Sequence, residues 1–466
     1  MKHWYLFLFL VSSQALSAES PIVLNKLPLS HAIVAAEEIL QKKPSESAWK
    51  TLYDASEMPD AQRLLQSFFK TLEETNASAV ESPPFFATDA NFYLASIREE
   101  AKDLPGATAH YKNVKISDRH FVNARHAMAR ILFAQGKSQE AIQTIQSLFY
   151  KEIREFLTIE PSRLARLDDQ LYLMLARIYY QEKNYRHAIS YYRKVSKEGQ
   201  FFYQALFEQA WALFMGGYPQ FALGVVYSSE SPFFKNKFNP EAKILESIAS
   251  YWLCQYDAAK YYAEEFNQFY LPKYAGLKEF VSDNGKDPTF AATYDLFERY
   301  ISKSNLSQLA VSEDIIADVL SRPILMGLRA EFASYQEELT ALNKNRAEAP
   351  KSFGPSHQVI LEQLARETRL DIAKQTFSEL NELKLSFDKL TSQLQFLNVE
   401  ILMGAKEQIM GSELHASLKQ LNIKPTQEKP DTGKNPLSWA PDLKGEYWWD
   451  EIGFHVSTLS NQCRSN

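Results

Sequence analysis

Glycine is scarce, with 15 in 466 residues, and there are only two cysteines, Cys254 and Cys463. So little glycine beside 45% hydrophobic and 13% aromatic residues excludes a disordered or low-complexity chain. The length permits a sizeable core and suggests more than one domain. Long basic runs are absent. Lys+Arg number 51 against 57 Asp+Glu, and the formal net charge of −6 argues against nucleic acid as a partner. Past the N-terminus no segment is apolar for long enough to form a transmembrane helix. Catalytic signatures are missing too: there is no His-Glu-x-x-His pair, no Gly-x-Ser-x-Gly elbow, no phosphate loop and no dinucleotide fingerprint. The nine histidines are scattered, and His31, His110, His126 and His187 fall inside helical patterns as packed or surface residues. The adjacent pairs Glu37-Glu38 and Asp168-Asp169 point to different sides of a helix and read as solvated surface. No metal or cofactor is implied, and nothing supports an enzyme.

What is present begins with an export signal. Lys2 precedes an apolar run at residues 4–11, and small residues at 12–18 offer a cleavage point after Ser17 or Ala18. This is the pattern of a secretory signal peptide over residues 1–18, with a buried N-terminal helix as the alternative. No cysteine stands near the cleavage point, so no lipobox is expected. The mature chain is expected to be periplasmic or secreted.

A period follows. Ala107 and Ala141 are 34 apart, and so are Ala188 and Ala222. Ala141 to Ala188 is 47, one period plus an insertion of 13, and Ala222 to Ala259 is 37. The clearest unit carries Leu175, Ala176 and Tyr179, then Asn184-Tyr185, then Ala188, Tyr192 and Val195. Its neighbours carry Met128, Ala129, Leu132, Gly136, Ala141, Ile145 and Leu148, and Gln209, Ala210, Leu213, Gly217, Ala222 and Val226. Weaker units surround Leu94, Ala95, Ala107, Tyr111 and Val114, and Ser247, Tyr256, Ala259 and Phe266. Small residues let two helices approach, while large ones fill the groove to the next pair.

The period and these positions resemble the tetratricopeptide repeat superfamily. The resemblance implies an all-α solenoid of about five helical hairpins over residues 88–271, with residues 19–87 as a divergent helical cap. In that family the fifth, ninth and twelfth positions of each unit line a concave groove. Here they are His126, Arg130 and Phe133; Leu173, Arg177 and Tyr180; Phe207, Trp211 and Phe214; and Ile244, Ile248 and Tyr251. The groove residues implied are Arg130, Arg177, Tyr180, Phe207, Trp211, Phe214 and Tyr251. The arginines would pair a carboxylate of a partner segment and the aromatics would hold its apolar side chains; the competing reading makes the aromatics core. The order of signal, repeats, long helices and aromatic end is similar to large periplasmic repeat proteins of gliding and predatory bacteria. Tyr256-Asp257-Ala258-Ala259 after Cys254, and residues 446–453, carry that likeness.

Residues 272–422 show two heptad seams. Leu325, Leu328, Phe332, Tyr335, Leu339 and Leu342 form one; Leu380, Leu383, Phe387, Leu390, Leu394, Leu397 and Ile401 form the other. A break at residues 350–356 separates them, so the pattern predicts an antiparallel helical hairpin, with a homodimer through the heptad helices as the alternative. Residues 423–445 hold four prolines and read as an extended linker. The final segment, 446–466, opens with Tyr447, Trp448 and Trp449, which would dock on the chain's own helices or on a partner. In an oxidising compartment Cys254 and Cys463 suggest one disulfide, against two buried free thiols; Cys463 follows the aromatic segment, which ends at Phe454, by about three helical turns. The function this predicts is a non-catalytic scaffold or adaptor that binds other proteins of a bacterial cell envelope. The alternatives are a helical module associated with a peptidoglycan-active enzyme and a structural, self-assembling coiled-coil protein.

Overall fold

The computed structural model describes residues 28–40, 45–55, 58, 61–74, 84–157, 159–234, 237–344, 355–410, 437–439 and 449–463. The signal segment, Tyr447, Trp448 and most of the proline-rich linker lie outside them. The described chain is predominantly helical. It opens with α1 (Pro28–Leu40), α2 (Glu46–Ala55) and α3 (Gln62–Glu74). Next come α4 (Pro84–Glu100), α5 (Leu104–Asn113), α6 (Phe121–Ala134), α7 (Ser138–Ser147) and the single turn α8 (Lys151–Arg154). Then follow α9 (Pro161–Gln181), α10 (Tyr185–Tyr192), α11 (Phe202–Met215), α12 (Pro219–Ser229), α13 (Pro240–Trp252) and α14 (Tyr256–Glu265). A π turn, Phe266–Tyr270, leads into α15 (Leu271–Asn284), α16 (Ala291–Ile301), α17 (Glu313–Leu320), α18 (Pro323–Lys344) and the 56-residue α19 (Pro355–Met410).

The periodic region is built of paired helices: α4 with α5, α6 with α7, α9 with α10, α11 with α12, and α13 with α14. Ala107, Ala141, Ala188, Ala222 and Ala259 each lie on the second helix of a pair and are fully buried. Five residues before each alanine stands a residue with left-handed backbone: Lys102 (φ 63°), Gly136 (77°), Lys183 (59°), Gly217 (87°) and Cys254 (55°). The next N–H reaches back to the first helix, as in Lys137 N to Leu132 O at 2.9 Å, Asn184 N to Tyr179 O at 2.8 Å and Tyr218 N to Leu213 O at 2.9 Å. All five turns therefore close by one Schellman pattern, which satisfies the last carbonyls of the first helix. Glycine at 136 and 217 meets the φ requirement without a Cβ clash; the lysines and Cys254 meet it with one.

The chain divides into two compact units, residues 1–158 with 322–375, and residues 159–321 with 376–466. The periodic region contributes two helix pairs to the first unit and three to the second. In the first unit, Leu29, Ile33, Trp49, Leu52, Phe68, Phe69 and Tyr93 share a core with Tyr335, Leu342, Leu361 and Leu364. Glu338 on α18 caps α1 from far along the chain, accepting from Leu29 N and Ser30 N at 2.8 Å each and from Ser30 Oγ at 2.6 Å.

In the second unit the core joins Leu173, Ala188, Leu206, Leu213, Leu223 and Leu245 to Ile452 near the C-terminus. The α19 seam is buried there from Leu380 to Ile401. Its Phe387 packs on Phe238, Phe266 and Tyr274 with ring centroids 5.9, 6.1 and 5.3 Å away. At Phe387 the seam therefore meets rings at the edge of the repeat helices. A 3,4 stripe specifies that a helix face is covered, not by what. One element departs from an all-α fold. β1 (Leu437–Trp439), inside the expected linker, pairs in parallel with β2 (His455–Ser457) of the expected docking segment.

Candidate functional site

The two arginines expected to line a groove are each paired. In the first unit, Arg130 on α6 reaches Glu99 on α4 at 2.8 Å, and Glu99 also accepts from the Tyr111 hydroxyl on α5 at 2.9 Å. In the second, Arg177 on α9 grips Glu208 on α11 through Nε at 2.8 Å and Nη2 at 2.6 Å, and the Tyr192 hydroxyl adds a bond at 3.1 Å. Each guanidinium thus faces a carboxylate locked by a tyrosine of a second helix. Sequence alone showed the arginines but not their partners, which lie 31 residues away in each case. His126, one turn before Arg130, has its pKa lowered to about 4 by burial, with the Arg130 charge adding to it.

The aromatic positions fall on the first helices of the second unit and divide by burial. Phe214 is core, edge-on to Trp211 at 6.1 Å and to Trp252 at 6.3 Å. Tyr180, Phe207, Trp211 and Tyr251 are half-buried. Tyr180 sits edge-on to Tyr185 at 5.5 Å. Its hydroxyl pKa is pushed up to about 12 by burial, with Tyr185, Glu241 and Glu208 adding to it. Tyr251 donates to Glu400 of α19 at 3.1 Å, which closes this end of the surface. Asp169, expected at the solvated surface, is instead buried and accepts from Ser196 N at 2.8 Å, tying the start of the unit to the end of α10.

The C-terminal segment packs on α11, on α12 and on turns of the same pairs. Trp449 packs among Phe202, Phe233 and Phe234 at 5.7, 5.2 and 6.1 Å, and Lys197 donates to its carbonyl at 3.0 Å. Ile452 is buried, and His455 meets the Ser228 hydroxyl at 3.0 Å. Beyond β2 the chain continues along the repeat turns: Gln220 donates to Leu459 O at 2.8 Å, Gln255 to Ser460 O at 2.7 Å, and Gln462 N to Leu253 O at 2.9 Å. Cys254 and Cys463 are disulfide-bonded, with Cα atoms 5.0 Å apart. A residue the sequence reading missed, Gly224 on α12, makes this docking fit. A Cβ there would stand 2.1 Å from the His455 carbonyl oxygen. Its signal was a glycine inside a helix of a glycine-poor chain.

An ionic cluster around the buried Lys243 and Glu246 ties α12, α13 and α14. Lys243 Nζ lies 2.7 Å from Glu230, 3.0 Å from Glu246 and 3.0 Å from Glu265. Burial opposes the Lys243 charge, but the three carboxylates outweigh it and hold its pKa above the usual range. Glu246 is pushed up to about 8, chiefly by burial and then by Glu230, against the pull of Lys243.

Among the described residues no group of three or more His, Cys, Asp or Glu is placed to hold a metal, and no helix is long and apolar enough to cross a membrane. A family model described as tetratricopeptide repeat matches residues 169–197, the α9–α10 pair. That repeat and the helix pairs around it resemble tetratricopeptide hairpins, an architecture that supports a general role in protein–protein interaction. No curated protein matches the chain.

Proposed function

We propose that this chain is a non-catalytic scaffold or adaptor of a bacterial cell-envelope complex, exported to the periplasm or secreted, that binds a segment of another envelope protein. The observation that carries this reading is the half-buried aromatic surface of Tyr180, Phe207 and Trp211 on successive first helices of alike-closed pairs. Rigid aromatic side chains that are part-covered on a preformed surface gain contact area at small entropic cost. Crosslinking in the native envelope, followed by identification of the bound protein, tests it. Replacing Phe207 and Trp211 with Ala should cut capture by at least about tenfold at unchanged helicity. Capture at the wild-type level by that double variant would count against the surface.

A second reading, self-assembly, is favoured by one feature of α19. Phe396, Val399, Leu402 and Met403 are exposed on one face, Phe396 at 76%. Such a stripe suits a helix–helix contact. Sedimentation of the mature protein decides: a monomer that stays monomeric at high concentration removes it.

A further inference from the structure

We propose that residues 449–463 are a redox-releasable brace: they clamp the α13–α14 pair to the α11–α12 pair, and reduction of the Cys254–Cys463 disulfide frees the α13–α14 end.

The path of the segment carries this. Each pair of a repeat array touches only its neighbours, so few contacts set the twist between them. Residues 449–463 add a tie from outside the array. They start at the loop between α10 and α11, where Lys197 donates to Trp449 O and Asp450 O at 3.0 Å each. They then run opposite in direction to α12. Gly453 N donates to Ser228 Oγ at 3.1 Å, the His455 carbonyl passes over Gly224, and Gln220 donates to Leu459 O. They end on the α13–α14 turn, at Leu253, Cys254 and Gln255.

The two ends are held differently. The α12 end is anchored by burial of Ile452 and His455 and by the packing of Trp449 on three phenylalanines. The far end has the disulfide and two hydrogen bonds, Gln255 to Ser460 O and Gln462 N to Leu253 O, and residues 460–462 are exposed. Exposed hydrogen bonds contribute little net stability, so the covalent link is the stronger hold. Cys254 also takes the left-handed position that is glycine at 136 and 217, and so bears a Cβ strain that glycine avoids. What the brace steadies is the end of α13. Trp252 there lies edge-on to Phe214 of α11 at 6.3 Å, and Phe214 to Trp211 at 6.1 Å.

A dithiol reductant enters at Cys463, which is half-buried where Cys254 is buried. Its thiolate bonds to Cys463 Sγ, the protein disulfide breaks, and Cys254 leaves as a thiolate that takes up a proton. The second thiolate of the reductant then closes the reductant's own disulfide and releases Cys463 in the same way.

Hydrogen exchange of the mature full chain, oxidised and treated with dithiothreitol, is read by mass spectrometry at short labelling times, which report local opening rather than global unfolding. Reduction should speed exchange at residues 249–259 and 457–463 by about tenfold or more and leave residues 219–229 and 449–453 unchanged. Cys463→Ser should give that pattern without reductant. Cys254→Gly combined with Cys463→Ser, which gives the turn the glycine of its neighbour, should keep the helicity and still exchange fast at 457–463. Unchanged exchange at 249–259 on reduction overturns the brace, and so does an equal rise throughout residues 159–230. No ligand enters the measurement, so its failure leaves the partner-binding reading standing.

Discussion

Single residues decide two matters. Glu246 is nearly inaccessible and its pKa in the folded chain is about 8, against an ordinary value of 4.5. A carboxyl raised in this way stabilises the fold fully below its unfolded pKa, and that contribution is lost as pH rises through the folded value. The second unit should therefore lose stability between about pH 5 and 9, and Glu246→Gln should flatten that slope in denaturant melts at three pH values. Parallel slopes would reject the assignment. Lys243→Met leaves three carboxylates together without their cation and should cost about 3–5 kcal/mol. Gly224 sets two effects against each other. Alanine should improve the helix by about 1 kcal/mol, but its Cβ would collide with the His455 carbonyl at 2.1 Å. The collision with backbone should win. Gly224→Ala is expected to lower the melting temperature and to make residues 449–463 more sensitive to protease; a raised melting temperature would show that the segment can shift without loss.

At the scale of elements, the repeat was legible because its signal is packing. Ala107, Ala141, Ala188, Ala222 and Ala259 are fully buried between paired helices, where small side chains let the helices approach, so their spacing survives in the sequence. The turns were half legible. Gly136 and Gly217 declare a left-handed residue, while Lys102, Lys183 and Cys254 adopt the same backbone without declaring it. The partners of a stripe were not legible at all. Phe387 announces a buried face on α19, but the rings that cover it come from residues 238, 266 and 274, far off in the chain. The candidate surface had the same limit: Arg177 and Trp211 were readable by position, whereas the Glu208 that pairs with Arg177 required coordinates. The hidden turn residues carry their own prediction. Lys183→Gly relieves a left-handed Cβ and should raise stability by about 1 kcal/mol in equilibrium denaturation, since steric relief there exceeds the loss of chain stiffness. A stability at or below that of the wild type would mean that the lysine side chain contributes contacts that offset the strain.

At the scale of the whole molecule, sequence order and compactness disagree. The first unit is completed by residues 322–375, whose Tyr335, Leu361 and Leu364 fill the core made by α1, α2 and α3. The second is completed by residues 376–466, whose Ile452 enters the core of the repeat pairs. Units with separate cores can melt as separate transitions. The disulfide lies wholly within the second unit, and its partners are 209 residues apart. Chain-entropy reasoning gives such a closure about 5 kcal/mol at most, because the reduced unfolded chain regains the freedom of the long loop. Reduction acts in this way on the unfolded state of one unit only. Scanning calorimetry of the mature protein should accordingly resolve two transitions. Reduction, or Cys463→Ser, should lower one of them. Tyr335→Ala, which removes a fully buried ring, should lower the other by the equivalent of about 3–5 kcal/mol. Leu213→Ala should move the transition that reduction moves. If reduction and Tyr335→Ala shift the same transition equally, the two cores melt as one and the division into units has no thermodynamic meaning.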